Sequence, residues 1–136
     1  MRFPPPLRIA AFFLALGSAS CLITDPVIPL DTATNQAPEW QPGRPQPAPQ
    51  SPLNYTAGST QQLSFDASAR DPDGDLHRLF YKWTLDGTTV ASGEDATFFT
   101  TTPAAIGTGT HQLRVEITDT GTPQGVLEAN WTLVVQ

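Results

Sequence analysis

The sequence predicts an all-β fold, an antiparallel β-sandwich of about seven strands preceded by a signal peptide and a proline-rich linker. Three observations lead there. From Leu63 onward apolar residues recur with period two, the alternation of half-buried strands. Turn residues separate these runs: Asp71-Pro72-Asp73-Gly74-Asp75, Asp86-Gly87, Ser92-Gly93, Gly107-Thr108-Gly109 and the stretch from Gly121 to Gly125. No stretch holds a 3.6-residue period through three turns, so helix is expected to be essentially absent. With 136 residues, 39% hydrophobic and 15% charged, the chain has room for one small domain, which excludes a multi-domain catalyst.

The elements follow in order. Residues 1–20 have a positive start with Arg2 and Arg8, an apolar run from Ile9 to Leu16, and the small residues Gly17, Ser18, Ala19 and Ser20. That is the plan of a secretory signal peptide, and the run is far below the roughly 20 residues of a spanning helix. Ser18-Ala19-Ser20-Cys21 resembles the lipobox of bacterial lipoproteins, which implies that Cys21 is acylated and becomes the new N-terminus. Leu22 in place of Asp then implies the outer membrane. Ser18 stands where that family usually has Leu, and Ser18 and Ser20 also satisfy an ordinary signal-peptidase site, which would give a secreted protein. A single cysteine excludes an intramolecular disulfide, and an unpaired thiol is a liability in an oxidising compartment. More than one acyl chain on Cys21 would meet the requirement for stable anchoring.

Residues 21–52 form the linker. Pro26, Pro29, Pro38, Pro42, Pro45, Pro47, Pro49 and Pro52 remove backbone donors and fix φ, so neither a helix nor a central strand runs through. As an extended spacer its residues would reach roughly 90 Å. The alternative is that residues 35–41 pair as a first edge strand, which Trp40 favours because a free linker rarely exposes an indole.

Residues 53–136 carry the strands. Leu63, Phe65 and Ala67 alternate with polar neighbours, as do Leu79, Tyr81, Trp83 and Leu85, then Leu113, Val115 and Ile117, then Leu127, Ala129, Trp131, Leu133 and Val135. Trp83 and Trp131 therefore belong to the core. Phe80 points the other way, and with Val134 could mark a small apolar patch.

Together Asn35-Gln36-Ala37-Pro38, the Asp71 to Asp75 turn, Tyr81 to Gly87, the Gly107 to His111 turn and Leu113 to Asp119 resemble the bacterial Ig-like, PKD-like and cadherin-like extracellular modules. The resemblance implies an Ig-like sandwich and leaves function open, because many unrelated exported proteins carry such modules. Two departures stand out: the proline-rich insertion from Gln41 to Pro52, and His111 or Gln112 where a tyrosine is often seen early in the sixth strand.

That topology would gather Asn35, Asp71, Asp73, Asp75, Glu94, Asp95 and Asp119 at one pole. Oxygen ligands at this density suit Ca²⁺, and Asp71, Asp73, Asp75 and Asp119 are the candidate metal ligands. The alternative is that Asp71 and Asp73 cap Asx-turns beside Pro72 and Gly74. An EF-hand is a poor match, since its twelfth position counted from Asp71 is Lys82.

The formal charge is −6, and removing the leader leaves 13 acidic against five basic residues, a surface that repels nucleic acid and anionic lipid. Nucleophilic catalysis lacks its parts, since the cysteine is assigned to the anchor, and His77 and His111 fall at opposite poles and cannot share a zinc ion. The expectation is a non-catalytic, lipid-anchored envelope protein, an Ig-like binding or scaffolding module with an unknown envelope or extracellular partner. A calcium-dependent adhesion or matrix module, secreted or surface-displayed, is one alternative. A carbohydrate-binding module is another.

Overall fold

Three features make the frame of the protein: the tight turn Asp86-Gly87, the one-turn helix before the longest hairpin, and that hairpin itself. The computed structural model describes residues 34–74 and 78–136. The leader, Cys21, Asp75 and His77 lie outside the described residues. Nine strands appear in chain order: β1 (Glu39–Trp40), β2 (Leu53–Tyr55), β3 (Leu63–Asp66), β4 (Ala69–Arg70), β5 (Phe80–Leu85), β6 (Thr88–Gly93), β7 (Phe98–Thr101), β8 (Gly109–Thr118) and β9 (Val126–Val135). One helix is found among the described residues, α1 (Pro103–Ile106), and it precedes β8. One turn needs no hydrophobic period. Here Pro103 starts it and the Thr102 hydroxyl caps it by accepting from the Ala105 N–H at 3.2 Å, as first-turn chemistry favours.

One layer is a five-stranded sheet in the order β2-β9-β8-β5-β6, and the facing layer consists of β1 paired with β4 and β3 paired with β7. All pairs are antiparallel except β2 with β9. The seven expected strands become nine because two of them are interrupted. Ala67-Ser68 separates β3 from β4, and the proline-rich insertion separates β1 in one layer from β2 in the other. Asp86, at φ +48°, and Gly87, at φ +81°, make the two-residue primed turn that suits a twisted hairpin.

Register puts Tyr81, Trp83, Leu113, Val115, Ile117, Ala129, Trp131 and Leu133 on the inner face of the large sheet, against Leu63, Phe65, Ala67 and Ala69 of the other layer. Four rings interlock at the centre. Trp83 stacks on Trp131 and on Phe99, each at 5.7 Å between centroids, and Phe65 meets Trp131 edge-on at 5.5 Å. Both tryptophans are core residues, with each indole N–H satisfied by a loop carbonyl: Trp83 donates to Ala96 at 2.7 Å and Trp131 to Pro47 at 2.6 Å.

The second of these bonds, with others, differs from the expectation of a spacer reaching to Pro52. Glu39 and Trp40 pair with β4, Gln41 N donates to Ser68 O at 3.1 Å, and Gln46 exchanges both backbone bonds with Asp66 at 2.9 and 2.7 Å. Arg44 pairs with the Asp66 carboxylate at 2.6 Å. The compact unit accordingly runs from Thr32 to Gln136. Prolines that cannot sit inside a central strand can still cover a sheet edge, because their neighbours supply the donors.

A candidate functional site at the acidic pole

Of the residues expected at one pole, Asn35, Asp73 and Asp119 are tied together by two consecutive residues. Asn35 Nδ2 donates to Asp119 Oδ2 at 2.8 Å and to Pro123 O at 2.8 Å. Gln36 donates to Asp73 twice, from its backbone N at 2.7 Å and from Nε2 at 2.9 Å. The segment before β1 thus joins the β4–β5 loop to the β8–β9 loop. Glu94 reaches the same pole through Arg78, whose guanidinium lies 3.1 Å from it, while Arg78 N donates to Thr120 Oγ1 at 3.3 Å.

Asp119 is the buried charged residue of this pole, 1% exposed. Besides Asn35, its carboxylate accepts from Gly121 N at 3.0 Å and Gly125 N at 2.9 Å. Such charge-assisted bonds offset the desolvation of a carboxylate. Asp71 Oδ1 accepts from Asp73 N at 2.8 Å, the Asx-turn anticipated beside Pro72.

Two residues that sequence reasoning passed over decide whether this arrangement can form. A methyl group on Gly121 would overlap the Asn35 carboxamide. One on Gly125 would overlap the Asp119 carboxylate and come within 2.6 Å of Ala37 Cα. Their signal was visible only as turn composition, since the close approach comes from a segment more than 80 residues away.

The donor set of the pole bears on calcium. Ca²⁺ takes six to eight oxygens, but here N–H groups of Asn35, Gln36, Gly121 and Gly125 face Asp73 and Asp119. Among the described residues no group of three or more His, Cys, Asp or Glu could hold a metal ion. Asn35 Oδ1, an oxygen of the kind a cation seeks, is buried without a hydrogen-bond partner among the described residues.

At the other end of the large sheet, the Asp86-Gly87 turn is fastened to β8. Asp86 Oδ1 accepts from Gln112 N at 2.8 Å and its Oδ2 lies 2.7 Å from His111 Nδ1. These bonds hold the Asp86 carboxyl below the usual carboxylate range, the backbone N–H of Gln112 contributing most and His111 next. The two residues standing in the usual tyrosine position therefore fasten a turn by another route.

The outer face of the large sheet is polar across its middle. Lys82, Glu116 and Glu128 share one row, with Arg114 pairing both to Glu116 at 3.0 Å and to Glu128. Phe80 is 46% exposed, but the patch it was expected to share with Val134 does not form. Register aligns Phe80 with Thr118 and Val126 at one end of β8, and Val134 with Thr110 at the other.

No protein-family model matches the chain, and no curated protein matches its sequence. Solved structures do. One is a nucleoside hydrolase-related hypothetical protein from Saccharophagus degradans that is associated with carbohydrate metabolism, at TM-score 0.55 and 24% identity, over 75% of this chain and 26% of that one. Another comprises fibronectin(III)-like modules of Clostridium thermocellum CbhA, at TM-score 0.50 and 17% identity, over 76% of this chain and 47% of that one. The chain thus spans about a quarter of the first and about half of the second. These likenesses show the fold, an Ig-like and fibronectin-III-like sandwich.

Proposed function

We propose that the chain is a non-catalytic binding module of the cell envelope, exported, anchored in the outer membrane through acylated Cys21, and recognising its partner with the surface of the sandwich. The observation that carries this reading is where the polar side chains are used. The interior is filled by interlocked rings, and Asp119, Asp73 and Asp86 hold loops in place through hydrogen bonds. Recognition then falls to exposed side chains that the fold does not need, as is usual for loops and faces on a rigid scaffold.

Anchoring has a geometric consequence. Because the compact unit begins at Thr32, only ten residues separate it from Cys21, a covalent reach of at most about 35 Å. The chain enters the sandwich at the pole of Asn35 and Asp119.

The test is metabolic labelling of the full chain with an alkyne fatty acid in a bacterial host, followed by membrane fractionation. Label and membrane association in the wild type, both lost in Cys21→Ser, support the reading. Unlabelled protein released from the cells would replace it with the secreted alternative.

A further inference from the structure

We infer that the trough between the proline-rich insertion and the start of β3 is a binding site for a neutral oligosaccharide. The inference rests on the reading of the chain as a binding module and gives it a ligand class. The trough has a volume of about 580 Å³, within the roughly 300–1,000 Å³ usual for ligand sites. It exists because Gln46 is bridged to Asp66 and Pro47 is held by Trp131, which stands the insertion up beside β2 and β3 as a fixed wall.

Its chemistry has two parts. Pro45, Pro47 and Tyr55 are half-buried and offer apolar surface. Around them stand Gln46, Gln61, Gln62 and Ser64, all exposed. The three carboxamides and the hydroxyls of Ser64 and Tyr55 have no hydrogen-bond partner among the described residues. Each amide offers two donors and an acceptor, each hydroxyl one donor and two acceptors. None of the described residues lining the trough is charged, in a chain of net charge −6, and Arg44, next to it in sequence, is paired with Asp66.

A ligand that matches is uncharged, carries many hydroxyls, and has C–H faces to set against a phenol ring and prolines. A sugar ring has those three properties. An extended proline-rich peptide would suit a row of aromatic ridges, whereas this trough has one aromatic and an excess of amides.

The experiment is native gel retardation of the full chain, in mild detergent, by soluble β-1,4-glucan, β-1,3-glucan, xylan and mannan, with a deca-proline peptide tested in parallel by fluorescence anisotropy. Expected is retardation by at least one neutral polysaccharide, weakened about tenfold or more in Tyr55→Ala, as for an anchoring aromatic. The double variant Gln61→Ala/Gln62→Ala, whose exposed positions leave the core intact, is expected to weaken it likewise. Phe80→Ala, at the other end of the large sheet beside Thr118, is expected to bind as the wild type. Retardation by none of the four, loss in Phe80→Ala with Gln61→Ala/Gln62→Ala unaffected, or binding of the peptide instead would overturn the inference. The broader reading has its own readout in Cys21 labelling, so each can fail alone.

Discussion

The Trp131 indole donates a hydrogen bond to the Pro47 carbonyl at 2.6 Å, across 84 positions of sequence. Trp131 is 1% exposed and stacks on Trp83, so a segment built from prolines is secured to the deepest part of the core. The bond also gives the indole N–H the partner that a buried tryptophan needs.

Trp131→Phe is therefore expected to do more than shrink a side chain. It removes the donor, leaves the Pro47 carbonyl without its partner and opens space beside Phe65. Losses of this kind run to about 3 kcal/mol in buried sites. Urea unfolding would show a lowered midpoint, and hydrogen exchange should quicken at Gln46 and Asp66, whose amides bond each other's carbonyls. Unchanged protection there would mean that the insertion is held without the indole.

Much of this molecule was legible from period and punctuation. The alternation Tyr81, Trp83, Leu85 against Phe80, Lys82, Thr84 gave both faces of β5, and Asp86-Gly87 gave the hairpin turn. Proline spacing was a poorer guide, because it reports what a backbone cannot donate and not what its neighbours can; Gln41, Arg44 and Gln46 supply the docking contacts. The pole was legible as a location, since the topology gathers Asn35, Asp73 and Asp119. Its chemistry was not, because carboxylate density looks the same whether N–H groups or a cation face it. The trough was invisible in sequence, being made by residues 43, 45–48, 55 and 61–64 only once the insertion is docked.

Asn35→Ala is expected to destabilise the acidic pole. Asp119 would keep the amides of Gly121 and Gly125 but lose the carboxamide donor from a buried charge, a loss of about 1–3 kcal/mol. Gly125→Ala should be at least as damaging, because its methyl meets backbone at Ala37 as well as the carboxylate. Thermal unfolding of the two variants checks both. Wild-type midpoints would show that the N-terminal segment does not hold the two loops together.

Acid should weaken the sandwich through Asp86 and Asp66. For Asp66 burial acts to raise the carboxyl, but the Ser68 hydroxyl and amide and the Arg44 guanidinium outweigh it, so the net shift is downward from 3.8. Asp86 is lowered as well. A folded pKa below the unfolded value means that the stabilisation is fully present above the unfolded pKa and is lost as pH falls through the folded one. Urea midpoints should be level above about pH 5 and decline below about pH 4. In Asp66→Asn and Asp86→Asn the midpoint should start lower and decline less; parallel curves would remove these carboxylates from the acid transition.

Calcium gives the last prediction. With N–H donors facing Asp73 and Asp119, the full chain should unfold at the same temperature in Ca²⁺ and in chelator. A site filled to a hundred times its dissociation constant adds about 2.7 kcal/mol, which for a domain of this size raises the midpoint by about ten degrees or more. A rise of that size, abolished by Asp71→Asn, Asp73→Asn and Asp75→Asn together, would mean that the ion draws Asn35 and Gln36 away from the carboxylates. The pole would then be a metal centre, and the calcium-dependent adhesion module would replace the scaffold. Coincident curves would leave Asp73 and Asp119 as groups that close the loops, with Gln36 and Asn35 as their respective partners.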